Sequence, residues 1–216
     1  MGGDGQPGPI TDTASLLAAL DRRVGSAEQL RAFDDAVWAA RGAEAAILVT
    51  DLSGFTRLTK KHGIIHFLHI FRRFQRVCVP TIDAHHGALV CQDADDILGL
   101  FPTAHDAVAA ALAMQREVVA INTDLEPDAR VGLCVGVAHG KMLRLDDNVF
   151  GDPVNVAFKL GEDLADAGEV LVSADTFAAA VAEGVELAGV EISDLRSAPA
   201  GGVRLEHRRL ILRAGS

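Results

Sequence analysis

The run Ala45-Ala-Ile-Leu-Val-Thr-Asp51 constrains this chain more than any other stretch. Ala45 to Val49 is apolar without interruption and reads as a buried strand, with Asp51 at its C-terminal end. Leu52-Ser53-Gly54 then permits a tight bend, and an amphipathic segment opens near Thr56 as a helix. An acid at a strand end beside a helix N-terminus suits two roles. It can hold a divalent cation while backbone N–H groups of the turn receive phosphate oxygens. It can also simply cap the helix. The stretch by itself leaves both open.

Bulk properties narrow the class. At 216 residues the chain is long enough for one sizeable domain and an appendage. Lys plus Arg is 20 and Asp plus Glu is 30, a formal charge of −10 that repels nucleic acid and anionic membrane at long range. A small polyphosphate remains admissible, because metal ions can neutralise it locally. The three cysteines, Cys78, Cys91 and Cys134, show no metal-finger spacing. Together with the lack of a signal-peptide pattern, they lead us to expect free thiols in a reducing cytoplasm. No run approaches the roughly 20 apolar residues of a membrane span, and the absence of Tyr argues against a base-stacking surface.

Residues 1–10, rich in Gly and Pro, are expected to be disordered. Residues 11–42 form a helical extension, with Leu16, Leu17 and Leu20 on one face and Leu30, Phe33, Val37 and Trp38 on another. That apolar stripe either packs on the domain or forms a dimer arm. Residues 43–216 form the main domain. Leu58 to Val79 is expected as one long helix ending near Pro80. Its His62, His66 and His69 alternate with Phe67, Leu68 and Ile70, which favours packing or interface histidines over a metal face. Leu89–Cys91 and Ile97–Phe101 read as a hairpin with Asp93, Asp95 and Asp96 at its tip. Ala104–Ile121 is a helix and Arg130–Val137 a strand, with a turn at His139-Gly140 and Met142–Leu145 pairing back. Gly151-Asp152-Pro153 starts a helix that carries Asn155 and Lys159 four residues apart. Glu169–Ser173, Ala174–Ala182 and Val203–Leu212 follow as strand, helix and a basic final strand. The order β-α-β-β-α-β predicts an α+β fold, a ferredoxin-like antiparallel sheet with helices packed on one face.

Three stretches, in order, resemble the catalytic domain of class III nucleotidyl cyclases, the adenylate and guanylate cyclases. Thr50-Asp-Leu-Ser-Gly-Phe-Thr56 looks like that family's first metal motif, and Gly87 to Phe101 like the hairpin bearing its second metal acid, here Asp95. Phe150-Gly-Asp-Pro-Val-Asn-Val-Ala-Phe-Lys159 looks like the helix supplying transition-state residues. The N-terminal helices and Gly63–Leu68 are similar to a bacterial subgroup. The resemblance implies that a ribose 3′-hydroxyl attacks the α-phosphate of a nucleoside triphosphate, ATP by default, and pyrophosphate leaves. It implies that Asp51, Asp95 and the carbonyl of Leu52 hold two Mg²⁺ or Mn²⁺ ions. Backbone N–H groups of Ser53, Gly54, Phe55 and Thr56 take the terminal phosphates, Asn155 orients the ribose, and Lys159 meets charge at the α-phosphate. The last two are expected from the opposite subunit of a homodimer with shared sites.

The chain departs from the family pattern where the base is read. Cys91 aligns with the usual Lys or Glu, and Asn148 with its acidic partner in adenylate cyclases. Lys159 stands at an Arg position, keeping the charge without the planar fork. Cys134 aligns with a further arginine. The C-terminal triphosphate lysine has no clear match, leaving Arg204, Arg208 or Arg209. These losses support a rival expectation, a catalytically weak or inactive cyclase-like domain that binds nucleotide or a protein partner as a regulatory module.

Overall fold

The computed structural model describes residues 7–93, 96–123, 125–127, 130–200 and 203–213, with backbone alone at 55–57, 93, 200 and 203. The apolar run becomes the middle of β1 (Gly42–Leu52), and Ile47, Leu48 and Val49 are wholly inaccessible to solvent. Burying each such side chain is worth about 1.5–3 kcal/mol, so this strand must lie inside a sheet covered on both faces. Its partners are β3 (Asp96–Phe101) and β4 (Leu133–Arg144), both antiparallel. With β2 (Ala88–Asp93) outside β3, the order β2-β3-β1-β4 is the expected ferredoxin-like one. Beyond β4 the sheet continues through β6 (Val170–Ser173), β9 (Val203–Leu212) and β7 (Val190–Ile192). β5 (Val149–Phe150) pairs with β4, and β8 (Arg196–Ala200) with β9.

Strand periodicity sorts the residues of β1 between two cores. Ala46, Leu48 and Leu52 face α4 (Ile64–Ala84), α5 (Ala104–Asn122) and α7 (Ala174–Ala182), meeting Phe67, Ile70, Phe74, Ala111 and Ala180. Ala45, Ile47 and Val49 face α6 (Asp152–Phe158), packing with Val154 and Ala157. Helices therefore cover both faces, whereas the order of elements led us to expect one. The reason is the parallel pairing of β4 with β6. A parallel pair needs a crossover, and α6 lies within it on the face left open by α4, α5 and α7.

Several boundaries differ from expectation. The long helix is two: α3 (Phe55–His62) ends at Gly63, whose φ of +82° few other residues adopt, and α4 starts immediately after. α4 then continues through Pro80 to Ala84, because Cys78 and Ile82 carry its buried stripe past the proline. There is no turn at His139-Gly140. β4 runs straight through it, since β1 pairs from Gly42 opposite Leu143 to Leu52 opposite Leu133.

The N-terminal extension packs on the domain. α1 (Thr13–Leu20) and α2 (Ala27–Arg41) are capped by Asp12 and Ser26, and each closes a reciprocal capping box. Leu16, Ala19, Phe33 and Val37 bury against Leu143 and Leu145. Ile10 joins that cluster at 5% exposure, while residues 1–6 of the stretch expected to be disordered lie outside the described residues. Thr13 N donates to Asp147 at 2.8 Å and Arg41 pairs with Asp146 at 3.2 Å, tying the extension to the turn after β4.

Candidate functional site

Alternation along β1 puts Asp51 on the face of Ala45, Ile47 and Val49, which is the α6 face. It is half-buried and sits opposite Cys134 in the β1–β4 register. Burial, and then the carboxylates of Asp51, Asp166 and Glu169, push the Cys134 thiol up to about 12. Cys134 therefore stays a neutral thiol in the position beside the candidate metal acid.

The turn after Asp51 divides its backbone groups. Ser53 N donates to Gly132 O at 2.8 Å, so this amide is committed to the fold and the expected phosphate-facing set loses its first member. Gly54 caps α3 with a left-handed φ of 88°, and Leu58 N to Gly54 O at 2.9 Å is the first intrahelical bond. The amides of Phe55 and Thr56 precede that bond and have no carbonyl partner within the helix. Leu52 buries its side chain, leaving only its backbone to offer.

Asp95, expected as the second metal acid, lies outside the described residues, as does Ala94. Asp93 and Asp96 flank it as the last register pair of the hairpin. A bulge at Val90 sets Cys91 opposite Leu98, which itself opposes Val49, so Cys91 shares the Asp51 face. Asn148 is held elsewhere. Its Oδ1 accepts from Val149 N at 2.8 Å, and it lines a cavity of about 100 Å³ with Ala88, Leu89 and Val90. Cys91 is not among the lining residues. That volume is well below the ~300–1,000 Å³ of small-molecule pockets.

α6 presents Asn155 to solvent and passes directly into a π-helical turn, Lys159–Leu164. Lys159 Nζ lies 2.7 Å from Asp163 Oδ2. The turn is seated by two glycines in close approach. A Cβ on Gly136 of β4 would meet Gly161 N at 2.4 Å, and one on Gly161 would meet Val49 O at 3.2 Å. Both transition-state candidates thus stand on the element pressed against the face that carries Asp51.

Of the three C-terminal arginines, Arg209 is held by Glu169 at 2.9 Å. Arg208 donates to Ser193 O and lies over the Phe177 ring of α7, on the other face of the sheet. Arg204 donates to Ser197 on the β8–β9 hairpin. Sequence reasoning missed two groups. One is the Glu169 network, in which buried Gln115 also donates to Glu169 O at 3.3 Å, and nothing in the spacing of 54 residues announces it. The other is Asp163, for which the i,i+4 offset from Lys159 was an available signal. Among the described residues no three His, Cys, Asp or Glu side chains gather into a metal cluster, and the rings of His62 and His66 lie 4.7 Å apart. A cavity of about 770 Å³ beside Trp38, Glu44 and Lys141 lies at the far end of β1 from Asp51.

No protein-family model matches the chain. It is 36% identical over 129 residues to putative adenylate cyclase 3 of Rhizobium meliloti, covering 60% of this chain and 22% of that protein. It is 28% identical over 131 residues to an adenylate cyclase of Glutamicibacter nicotianae, covering 61% and 31%. The chain thus spans less than a third of the length of these relatives. Among solved structures, an adenylate/guanylate cyclase/hydrolase from Silicibacter pomeroyi superposes with a TM-score of 0.70 at 24% identity, over 79% of this chain and 97% of that one. The guanylyl cyclase Cya2 superposes with a TM-score of 0.66 at 22% identity, over 81% and 95%.

Proposed function

We propose that this chain, whose fold is that of the class III adenylate and guanylate cyclase catalytic domain, is itself a nucleotide cyclase. It would convert a nucleoside triphosphate, ATP by default, to the 3′,5′-cyclic monophosphate and pyrophosphate. The observation that carries the reading is the placement of Asp51. It is the penultimate residue of β1, beside the open first turn of α3, on the face against which α6, the helix of Asn155, packs.

Carboxylate and carbonyl oxygens are the hard donors that Mg²⁺ and Mn²⁺ take. Asp51, the carbonyl of Leu52 and Asp95 would hold two such ions, which would supply charge to the triphosphate and acidity to the ribose hydroxyl. The amides from Gly54 to Thr56 receive terminal phosphate oxygens. Asn155 orients the ribose so that its 3′-oxygen attacks the α-phosphorus in line with the departing pyrophosphate. Lys159 offers its ammonium to the charge that grows there. Asn155 and Lys159 act on the partner's nucleotide in a homodimer with two shared sites. The base is read near Cys91 and Asn148, and poorly, since a thiol is a weak hydrogen-bond partner.

The second reading is a cyclase-like regulatory module that binds nucleotide with little or no turnover. It is favoured by the side-chain carbonyl of Asn148, which already accepts from Val149 N instead of being open to a base. The test is incubation of the dimeric protein with ATP, GTP, CTP or UTP and Mn²⁺. A cyclic monophosphate supports the enzyme. No product from any of the four, with nucleotide still bound, leaves the regulatory module.

A further inference from the structure

Lys159 is not an open charge. Its side chain is 35% exposed, and its ammonium is paired at 2.7 Å with Asp163, whose side chain is 58% exposed. The backbone beneath the pair cannot shift easily. The turn packs at Gly161 against Gly136, and Ala165 N to Leu160 O at 2.9 Å closes its wide end. The two side chains are consequently the movable parts. An ion pair this exposed adds little to stability, so the fold does not require it. It does place a negative charge next to the one cation that α6 and its π turn offer to a polyanion.

We propose that Asp163 is a positioning residue that gates Lys159. In the empty protein it holds the ammonium, and an arriving triphosphate must take that ammonium from it against the repulsion of its own charge. The inference rests on the cyclase reading above, and it adds a determinant of nucleotide affinity that acts through Lys159. An ammonium has three donors, so the exchange requires only side-chain rotation.

The experiment compares KM and kcat for the Mn²⁺–nucleotide in four proteins. Asp163→Asn should lower KM by about two- to fivefold, the range that an exposed pair is worth, and change kcat by less than about twofold. Asp163→Glu should keep the wild-type KM. Glu162→Gln removes the same charge from the adjacent position of the turn and should leave KM unchanged. Binding of a 3′-deoxynucleoside triphosphate, which cannot cyclise, supplies the second readout. Asp163→Asn should tighten it in the wild-type background and have no effect in a Lys159→Met background. An unchanged or raised KM, an equal effect of Glu162→Gln, or tightening that persists without Lys159 would each overturn the gate. Wild-type protein that neither binds nor turns over nucleotide would instead overturn the cyclase reading, and the gate with it. Wild-type turnover with an unresponsive Asp163→Asn sinks the gate alone.

Discussion

A carboxylate at the end of a buried strand is costly unless a cation or hydrogen-bond donors meet it, and Asp51 sits between a buried thiol and the open turn of α3. Asp51→Asn keeps the shape and removes the charge. It should still fold, yet lose cyclase turnover by about 10²–10³-fold. Retained turnover in that variant would remove Asp51 from the proposed metal site. Cys134 gives a second, independent reading of the same neighbourhood. Its thiol is pushed up to about 12 by burial first and by Asp51 next, from an ordinary value of 9.0. Buried Cys78 is pushed up as well, by burial alone. In the unfolded chain both thiols ionise near the ordinary value, while the folded protein keeps its protons, so the folded state binds more protons in the interval. Stability is therefore fully present below about pH 9 and falls as pH rises towards 12, which denaturant melts across that range would measure. Replacing Cys134 with Ala should flatten part of the slope. A stability that rises with pH there would contradict the burial of these thiols.

Among the elements, the π turn and β4 depend on each other. A Cβ on Gly136 would lie 2.1 Å from Ala157 O, which is backbone and cannot swing aside. Gly136→Ala should cost at least about 1–3 kcal/mol of stability, the usual range for overpacking, measured by urea unfolding. Gly161→Ala, whose nearest contacts are 3.0 Å and 3.2 Å, should cost less. The reverse order would mean that the turn is not seated as described. This contact also marks the limit of what could be read from the chain alone. β1 was legible because an unbroken apolar run has few places to go, and the helix at Ala104 because its stripe keeps helical period. The face taken by α6 was not, because it follows from a parallel pairing between segments far apart in sequence. His139-Gly140 looks like a turn locally, yet eleven register pairs with β1 hold β4 straight across it. Proline 80 misleads in the same way, since tertiary burial of Ile82 outweighs a local helix breaker. Among the site residues, Asp51 and Asn155 could be chosen by position in a motif. The Lys159–Asp163 pair and the Glu169–Arg209 pair depend on side-chain rotamers and on distant strands, which spacing does not specify.

At the scale of the molecule, one chain carries both halves of the proposed chemistry on one face of the sheet, but on different elements. Asp51 is the penultimate residue of β1, whereas Lys159 is turned to its own Asp163. An arrangement in which each protomer lends Asn155 and Lys159 to its partner predicts complementation between defective chains. Asp51→Ala and Asn155→Ala homodimers should each be inactive, because both of their sites lack one component. Mixed at equal amounts and allowed to exchange, random pairing makes about half of the dimers mixed, and each mixed dimer has one site with both residues intact and one with neither. The mixture should therefore recover about a quarter of the wild-type specific activity, since half of the dimers carry one working site of two. If each site were completed within a single chain, every site in the mixture would still lack one residue, and the activity would not exceed the sum of the two variants measured apart. An assay of the mixture before and after exchange distinguishes the two, provided sedimentation shows that the variants still form dimers.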